Sequence, residues 1–286
     1  MSISIREVRA EDAPECGRIC YEAFAAIARA HNFQPDFPNA ELVIGLFGVL
    51  IDQAGIYGVV AEEEGGRIAG SNFLHERDAI AGLGPITIDP ALQNRGIGDR
   101  LMRVVLDRAA ARNFAGVRLV QAGYHCRSLS LYLKLGFDVR EHLACLQGPP
   151  IRKVTEGFVV RAATDADLEA CNALCVRVHG AHRGGELRQA VAHGAARLVE
   201  RAGRISGYAT QIAFFGHAVA ETNDGLKALI AGADAFPGPG FIVPSRNGEL
   251  MRWCLEKGLR VTQPLTLMTM GLYNEPAGAW LPSILY

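Results

Sequence analysis

The chain has 286 residues, 49% of them apolar, a formal charge of −1 and a pI of about 6.7. That length suits two packed domains better than one. The near-neutral charge announces no basic face for nucleic acid, and no apolar run reaches the roughly 18 residues of a membrane span. The N-terminus, Met-Ser-Ile-Ser-Ile-Arg-Glu, lacks the cationic start and apolar stretch of a secretory signal. Seven cysteines form no Cys-x-x-Cys pair, and reduced thiols fit the cytoplasm, the expected location.

In chain order, Ile3 to Val8 alternates as a strand, and Asp12 is placed to cap a helix from Ala13 to Ala28. Ala40 to Ala54 is a second helical stretch, weakened by Gly45 and Gly48. Gly58 to Glu63 and Arg67 to Glu76 form a hairpin about Glu64-Gly65-Gly66. Ile80 to Asp89 is the central strand, and its Pro85 has no N–H for a ladder. A helix over 99–112, a strand over 117–122, a helix from Arg127 to Leu135 and strands from Gly136 to Leu146 complete the first half. Leu131 and Leu135, one turn apart, are expected to face the core.

The chain then repeats itself. Ile5-Arg6, Asp12, Cys16 and Cys20 recur as Val160-Arg161, Asp167, Cys171 and Cys175. Gly66-Arg67-Ile68-Ala69-Gly70 recurs as Gly203-Arg204-Ile205-Ser206-Gly207, and Leu135-Gly136-Phe137 as Lys257-Gly258-Leu259. The offset shrinks along the chain, as loop deletions would make it, so a whole domain is duplicated. Gln147 to Lys153, with its paired prolines, is the linker, giving domains over 1–147 and 155–286. A cysteine pair four apart could be a metal or redox pair. No His or acid completes a metal set, and small apolar residues on a buried helix face are the reading adopted.

The most informative stretch is Ile86 to Gly98. A short strand stops at Asp89-Pro90, a loop Gln93-Asn94-Arg95-Gly96-Ile97-Gly98 follows, and a helix starts at once. Glycine brings backbone close to a ligand, and the first N–H groups of a helix have no internal partner. Together they make an anion cradle, although glycines can also serve turn geometry alone. A P-loop needs Lys-Ser/Thr after the glycine, and here Asp99-Arg100 follows. A dinucleotide fold needs a third glycine and an acid after the next strand; Leu101 and Gln121 stand there.

Gln93-Asn94-Arg95-Gly96-Ile97-Gly98 after a strand ending in Asp89-Pro90 resembles the acyl-CoA motif of the GCN5-related N-acetyltransferase (GNAT) family. Tyr132-Leu133-Lys134-Leu135-Gly136-Phe137 matches its second signature at family spacing. The resemblance covers about residues 3 to 145. It implies an α/β protein of two tandem domains, each a mixed, mostly antiparallel sheet flanked by helices. The second would be degenerate and non-catalytic: Thr222-Asn223-Asp224-Gly225-Leu226 replaces the glycine loop, and Cys254 replaces the tyrosine. It would serve as scaffold, dimer surface or wall of an acceptor pocket. Pro237 to Phe241 is too proline-rich for an inner strand.

The implied reaction is acetyl transfer from acetyl-CoA, as co-substrate and without metal, to an amine that attacks directly. The alternative is an acyl-CoA sensor without turnover. Backbone groups of Ile86 and Ile88 would hold the pantetheine and acyl carbonyl. The loop from Gln93 to Gly98, with Asp99 and Arg100, would hold the pyrophosphate. Tyr132 would be the general acid. His125 stands where the family often has Asn, and it and Ser128 are expected to bind the cofactor. A base is expected among Glu76 and Asp78 at the end of the third strand. Phe33, Asp36 and Phe37, between the first two helices, would line the acceptor site. The expected partners are acetyl-CoA and a small-molecule or peptide amine, with a homodimer open, and neither nucleic acid nor membrane.

Overall fold

The computed structural model describes residues 3–153 and 155–285. Its contacts divide the chain into two compact units. The first holds the chain up to Leu119 and His125–Gly136; the second holds Val120–Tyr124 and Phe137–Ile284.

In the first unit, β1 (Ile3–Glu7), β2 (Ile56–Glu63) and β3 (Ile68–His75) form an antiparallel run, with Ile5 opposite Ala61 and Val59 opposite Asn72. Alternate residues of β3 face opposite sides. Phe73 meets Phe47 edge-on on one side. There α1 (Ala13–Ala30) and α2 (Ala40–Asp52) bury Cys16, Ile19, Cys20, Val43 and Phe47. Each large apolar side chain buried in this way contributes about 1.5–3 kcal/mol before entropy is counted. Asn72 points to the other side and reaches Leu101 O at 3.4 Å on α3 (Ile97–Ala111), whose Leu101, Met102 and Val105 are fully buried. β6 (Gly116–Ala122), of which residues 116–119 lie in this unit, and α4 (Cys126–Lys134) follow.

The central strand expected over Ile80 to Asp89 is broken in two. β4 (Ala81–Leu83) pairs β3 and, in parallel, β6; β5 (Thr87–Ile88) pairs β3 alone. Asp12 does not cap α1. Its carboxylate accepts from the Arg6 guanidinium and the Arg9 N–H instead. The single strand β7 (Asp138–Gln147) replaces the several expected after Gly136.

In the second unit, β8 (Phe158–Ala162), α5 (Leu168–His179), α6 (Gly184–Ala192), β9 (Arg197–Arg201), β10 (Arg204–Ala209), β11 (Ala218–Ala220) and α7 (Asn223–Ala231) repeat the order of the first. They are followed by β12 (Phe241–Pro244), α8 (Gly248–Glu256), β13 (Arg260–Gly271) and β14 (Ala279–Leu281). One sheet runs β14-β11-β10-β9-β8. β7 belongs to this unit, lying antiparallel between β12 and β13. β12 starts only at Phe241, past the prolines at 237 and 239, and ends its sheet as an edge strand.

The duplication recurs in side-chain chemistry. Arg6 bridges Asp12 and Glu62; Arg161 bridges Asp167 and Glu200. The N–H of Arg9 and that of Thr164 each donate to the aspartate at 2.8 Å. Cys16, Cys20, Cys171 and Cys175 are buried free thiols. Burial pushes the Cys16 and Cys171 thiols up to about 12, so these are inert packing residues. Among the described residues no cluster of metal-ligating side chains occurs, and no helix is long and apolar enough to cross a membrane.

Candidate active site

The site is built around the break in the central strand. Leu83 faces Leu74, whereas Thr87 faces Ser71. The β4–β5 segment therefore carries one residue more than β3 opposite it, which is a β-bulge. Gly84 lies in this bulge at φ 125°, a conformation that favours glycine, and the Gly84-Pro85 bond is cis. Asp89 N–H donates to Ala69 O at 2.9 Å. Antiparallel alternation then turns the backbone of Thr87 toward β3 and that of Ile88 away from it. Ile88 O accepts from Gln93 Nε2 at 3.3 Å. Ile86 lies in the break itself, outside either strand.

After Ile88 the chain makes a short 3-10 turn, Pro90–Leu92, whose Ala91 N–H is capped by Asp89. Asn94 at φ 66° and Gly96 at φ 76° then bend the loop into α3. No side chain caps the N-terminus of α3. A Cβ on Gly96 would meet no atom within 4 Å, so its surroundings are open. Gly98 lies in the first helical turn, where a Cβ would touch Leu131 of α4 at 3.6 Å. Arg127 of α4 reaches back to Gln93 Oε1 and, at 3.2 Å, to Asn94 Oδ1. Sequence reasoning missed Arg127: its tie to the loop spans more than 30 residues of chain. Unpartnered N–H groups at a helix start, with the helix dipole behind them, form an anion site. Arg95 is exposed and has no side-chain partner among the described residues. Arg100 donates to Ile3 O at 2.8 Å and so is engaged by β1. Asp99 is paired with Arg103 at 2.8 Å.

On α4, Tyr132 is 7% exposed, and burial raises its phenol well above the ordinary value, so it stays protonated at neutral pH. His125 is the N-cap position, two helical turns before it. Burial, with the charges of Arg127 and His31 nearby, lowers His125 to about 4. Its Nε2 is buried and has no hydrogen-bond partner among the described residues. Such an orphan is destabilising unless a ligand satisfies it. Ser128 Oγ donates to His125 O at 2.9 Å. His31 ends α1, and the segment after it is tied down by Phe33 N–H to Ala28 O and by the Asn39 cap of α2. Phe33, Asp36 and Phe37 are half-buried on this segment, and Phe37 packs on the α1–α2 core.

Glu76 does not fit the role of base expected of it. It lies on the α3 side of β3, where Arg108 holds both its oxygens at 2.7 and 3.0 Å and stacks on Tyr57. A carboxylate held in such a bidentate charge pair is stabilised in its ionised form and is a weaker base. Asp78, half-buried in the turn between β3 and β4, is placed closer to the bulged strand in sequence. Sequence reasoning also missed His75, which is 5% exposed and contacts Gly84 O through Nε2 at 3.0 Å.

A profile described as the Acetyltransferase (GNAT) family matches residues 19–137, the stretch that carries this loop, bulge and tyrosine. The likeness to the GNAT acetyltransferase family is carried by this part of the chain. Two solved structures match the chain over nearly its whole length. A candidate acetyltransferase from Pyrococcus horikoshii is 18% identical with a TM-score of 0.75, covering 97% of this chain and 92% of that one. A GCN5-related N-acetyltransferase from Sphaerobacter thermophilus is 17% identical with a TM-score of 0.61, covering 97% and 98%. At such identities these likenesses concern fold, and they extend the GNAT form over both halves. No curated protein matches the sequence.

The second half repeats the fold but differs at the corresponding positions. α7 follows β11 as α3 follows β5, but its N-cap Thr222 accepts from Gly225 N–H. Asn223 and Asn247 bond each other, and Glu249 adds negative charge beside them. Cys254, where the first half has Tyr132, is a fully buried core thiol.

Proposed function

We propose that the first unit transfers an acetyl group from acetyl-CoA to an amine, which attacks the thioester directly. The observation that carries this reading is the N-terminus of α3: uncapped, opened by Gly96, and braced from α4 through Arg127. In this reading the loop Gln93–Gly98 and the N–H of Asp99 hold the pyrophosphate, with Arg95 beside it. Arg100 stays on Ile3 O and adds only distant charge. The outward backbone of Ile88, with Ile86, His125 and Ser128, holds the pantetheine arm. The orphaned His125 Nε2 fits a hydrogen bond from such a chain. Acetyl-CoA supplies an activated acyl carbon.

The protein's own residues manage the protons. Tyr132, a neutral buried phenol, donates to the departing sulfur. Asp78 takes the proton of the incoming ammonium, directly or through water. Phe33, Asp36 and Phe37 bound the acceptor, with Asp36 as ammonium partner. The second half contributes no chemistry. The clamped Glu76 leaves Asp78 alone as the carboxylate base, and that favours a second reading, an acyl-CoA sensor without turnover.

Thiol release over a panel of amines and alcohols tests the reading. Wild type should turn over amines, and Tyr132→Phe should lose about a hundredfold in kcat with little change in acetyl-CoA affinity. Binding without turnover on any acceptor would support the sensor. Turnover unchanged in the variant would remove Tyr132 as acid.

A further inference from the structure

The bulge opens a gap in the β3–β4 ladder, and two side chains close it. Gly84 N–H donates to Phe73 O at 2.9 Å. In a regular antiparallel pair the Phe73 N–H would return a bond to Gly84 O. Here it donates instead to Asn72 Oδ1 at 2.9 Å. Gly84 O is taken by His75 Nε2 at 3.0 Å. A carbonyl oxygen only accepts, so Nε2 carries the proton. An arginine nitrogen only donates, so Nδ1, at 3.4 Å from Arg77, is placed as an acceptor. Asn72, fully buried, also reaches Leu101 O and Met102 Sδ, which ties the bulge to the helix behind the glycine loop.

The geometry points to His75 and Asn72 as positioning residues that hold the bulge open for acyl-CoA. Each side chain replaces one half of a missing ladder bond. Without His75, Gly84 O is free to return to Phe73 N–H, and closing the ladder shifts the segment Gly84–Ile88 that the ligand must meet. Neither residue touches the reacting atoms. The inference rests on the acetyl-CoA reading for its purpose, though not for its geometry.

The test uses the full chain. In wild type, nitrogen NMR of the histidine rings should find His75 neutral with its proton on Nε2. His75→Leu should melt cooperatively and bind acetyl-CoA about tenfold or more weakly, the loss expected for one misplaced set of contacts. His75→Gln, whose amide nitrogen can reach Gly84 O, should recover most of that affinity. Wild-type affinity in His75→Leu would overturn the inference. So would a folded His75→Gln as weak as His75→Leu, or a proton on Nδ1. If His75→Leu does not fold, the glutamine variant and the ring tautomer still decide. Wild type that binds no acetyl-CoA would end the functional reading, while the tautomer would still judge the clamp.

Discussion

Helices α3 and α7 hold corresponding places in the two halves of one chain, yet their N-termini differ. The first starts from Gly96 in a left-handed conformation and leaves its N–H groups without a side-chain cap. The second starts from Thr222, whose hydroxyl accepts from Gly225 N–H, with an asparagine pair and an acid beside it. Both copies have the same scaffold ion pair, Arg6 with Asp12 and Arg161 with Asp167, while only the first leaves its helix N-terminus without a side-chain cap. A few residues at one helix end thus distinguish the two copies, and the proposed function assigns binding to the uncapped one.

The sharpest break of this comparison is to remove the second half. β7 has β12 on one edge and β13 on the other. A chain ended at Gln147 would expose both edges, so residues 1–147 are expected to aggregate when purified alone. A folded, monomeric fragment by sedimentation and circular dichroism would contradict this.

Next in size is the helix end itself. Saturation with acetyl-CoA at about 100 times Kd should add roughly 2.7 kcal/mol to the wild type. Gly98→Glu should abolish that gain without unfolding the protein. The position is helical, its Cβ has room, and an acid in the first turn suits the dipole. A melting shift that survives the substitution would place the ligand elsewhere.

Thr222→Ala probes the other copy. Loss of the cap should cost about 1 kcal/mol in urea unfolding and leave acetyl-CoA affinity alone. Altered affinity would mean that the second half takes part in binding.

The smallest effect is a pH slope. His125 sits at about 4 in the fold against 6.5 for the free side chain. Between those values the unfolded chain takes up a proton that the folded one refuses. Stability should therefore fall as pH drops from about 6.5 toward 4. His125→Asn should flatten that part of the profile; an unchanged slope would assign it to other groups.

Much of this was legible in the sequence because it is local. Helix periodicity set α1 and α3 to within a few residues, and the glycine loop announced its turn before the fold was known. Glu76 misled because an end-of-strand carboxylate looks free until α3 brings Arg108 to it from 32 positions away. His75 and Arg127 were invisible for the same reason: each matters through a partner that only folding supplies.

The sequence alone determined the duplication and the glycine loop that the second copy lacks, since these depend on residue type and spacing. Only the tertiary structure decided that the central strand is bulged and clamped by side chains, that Glu76 is taken, and that β7 is packed between strands of the other half. Those outcomes depend on which hydrogen-bonding groups remain unpaired once strands meet, a competition that no local pattern encodes.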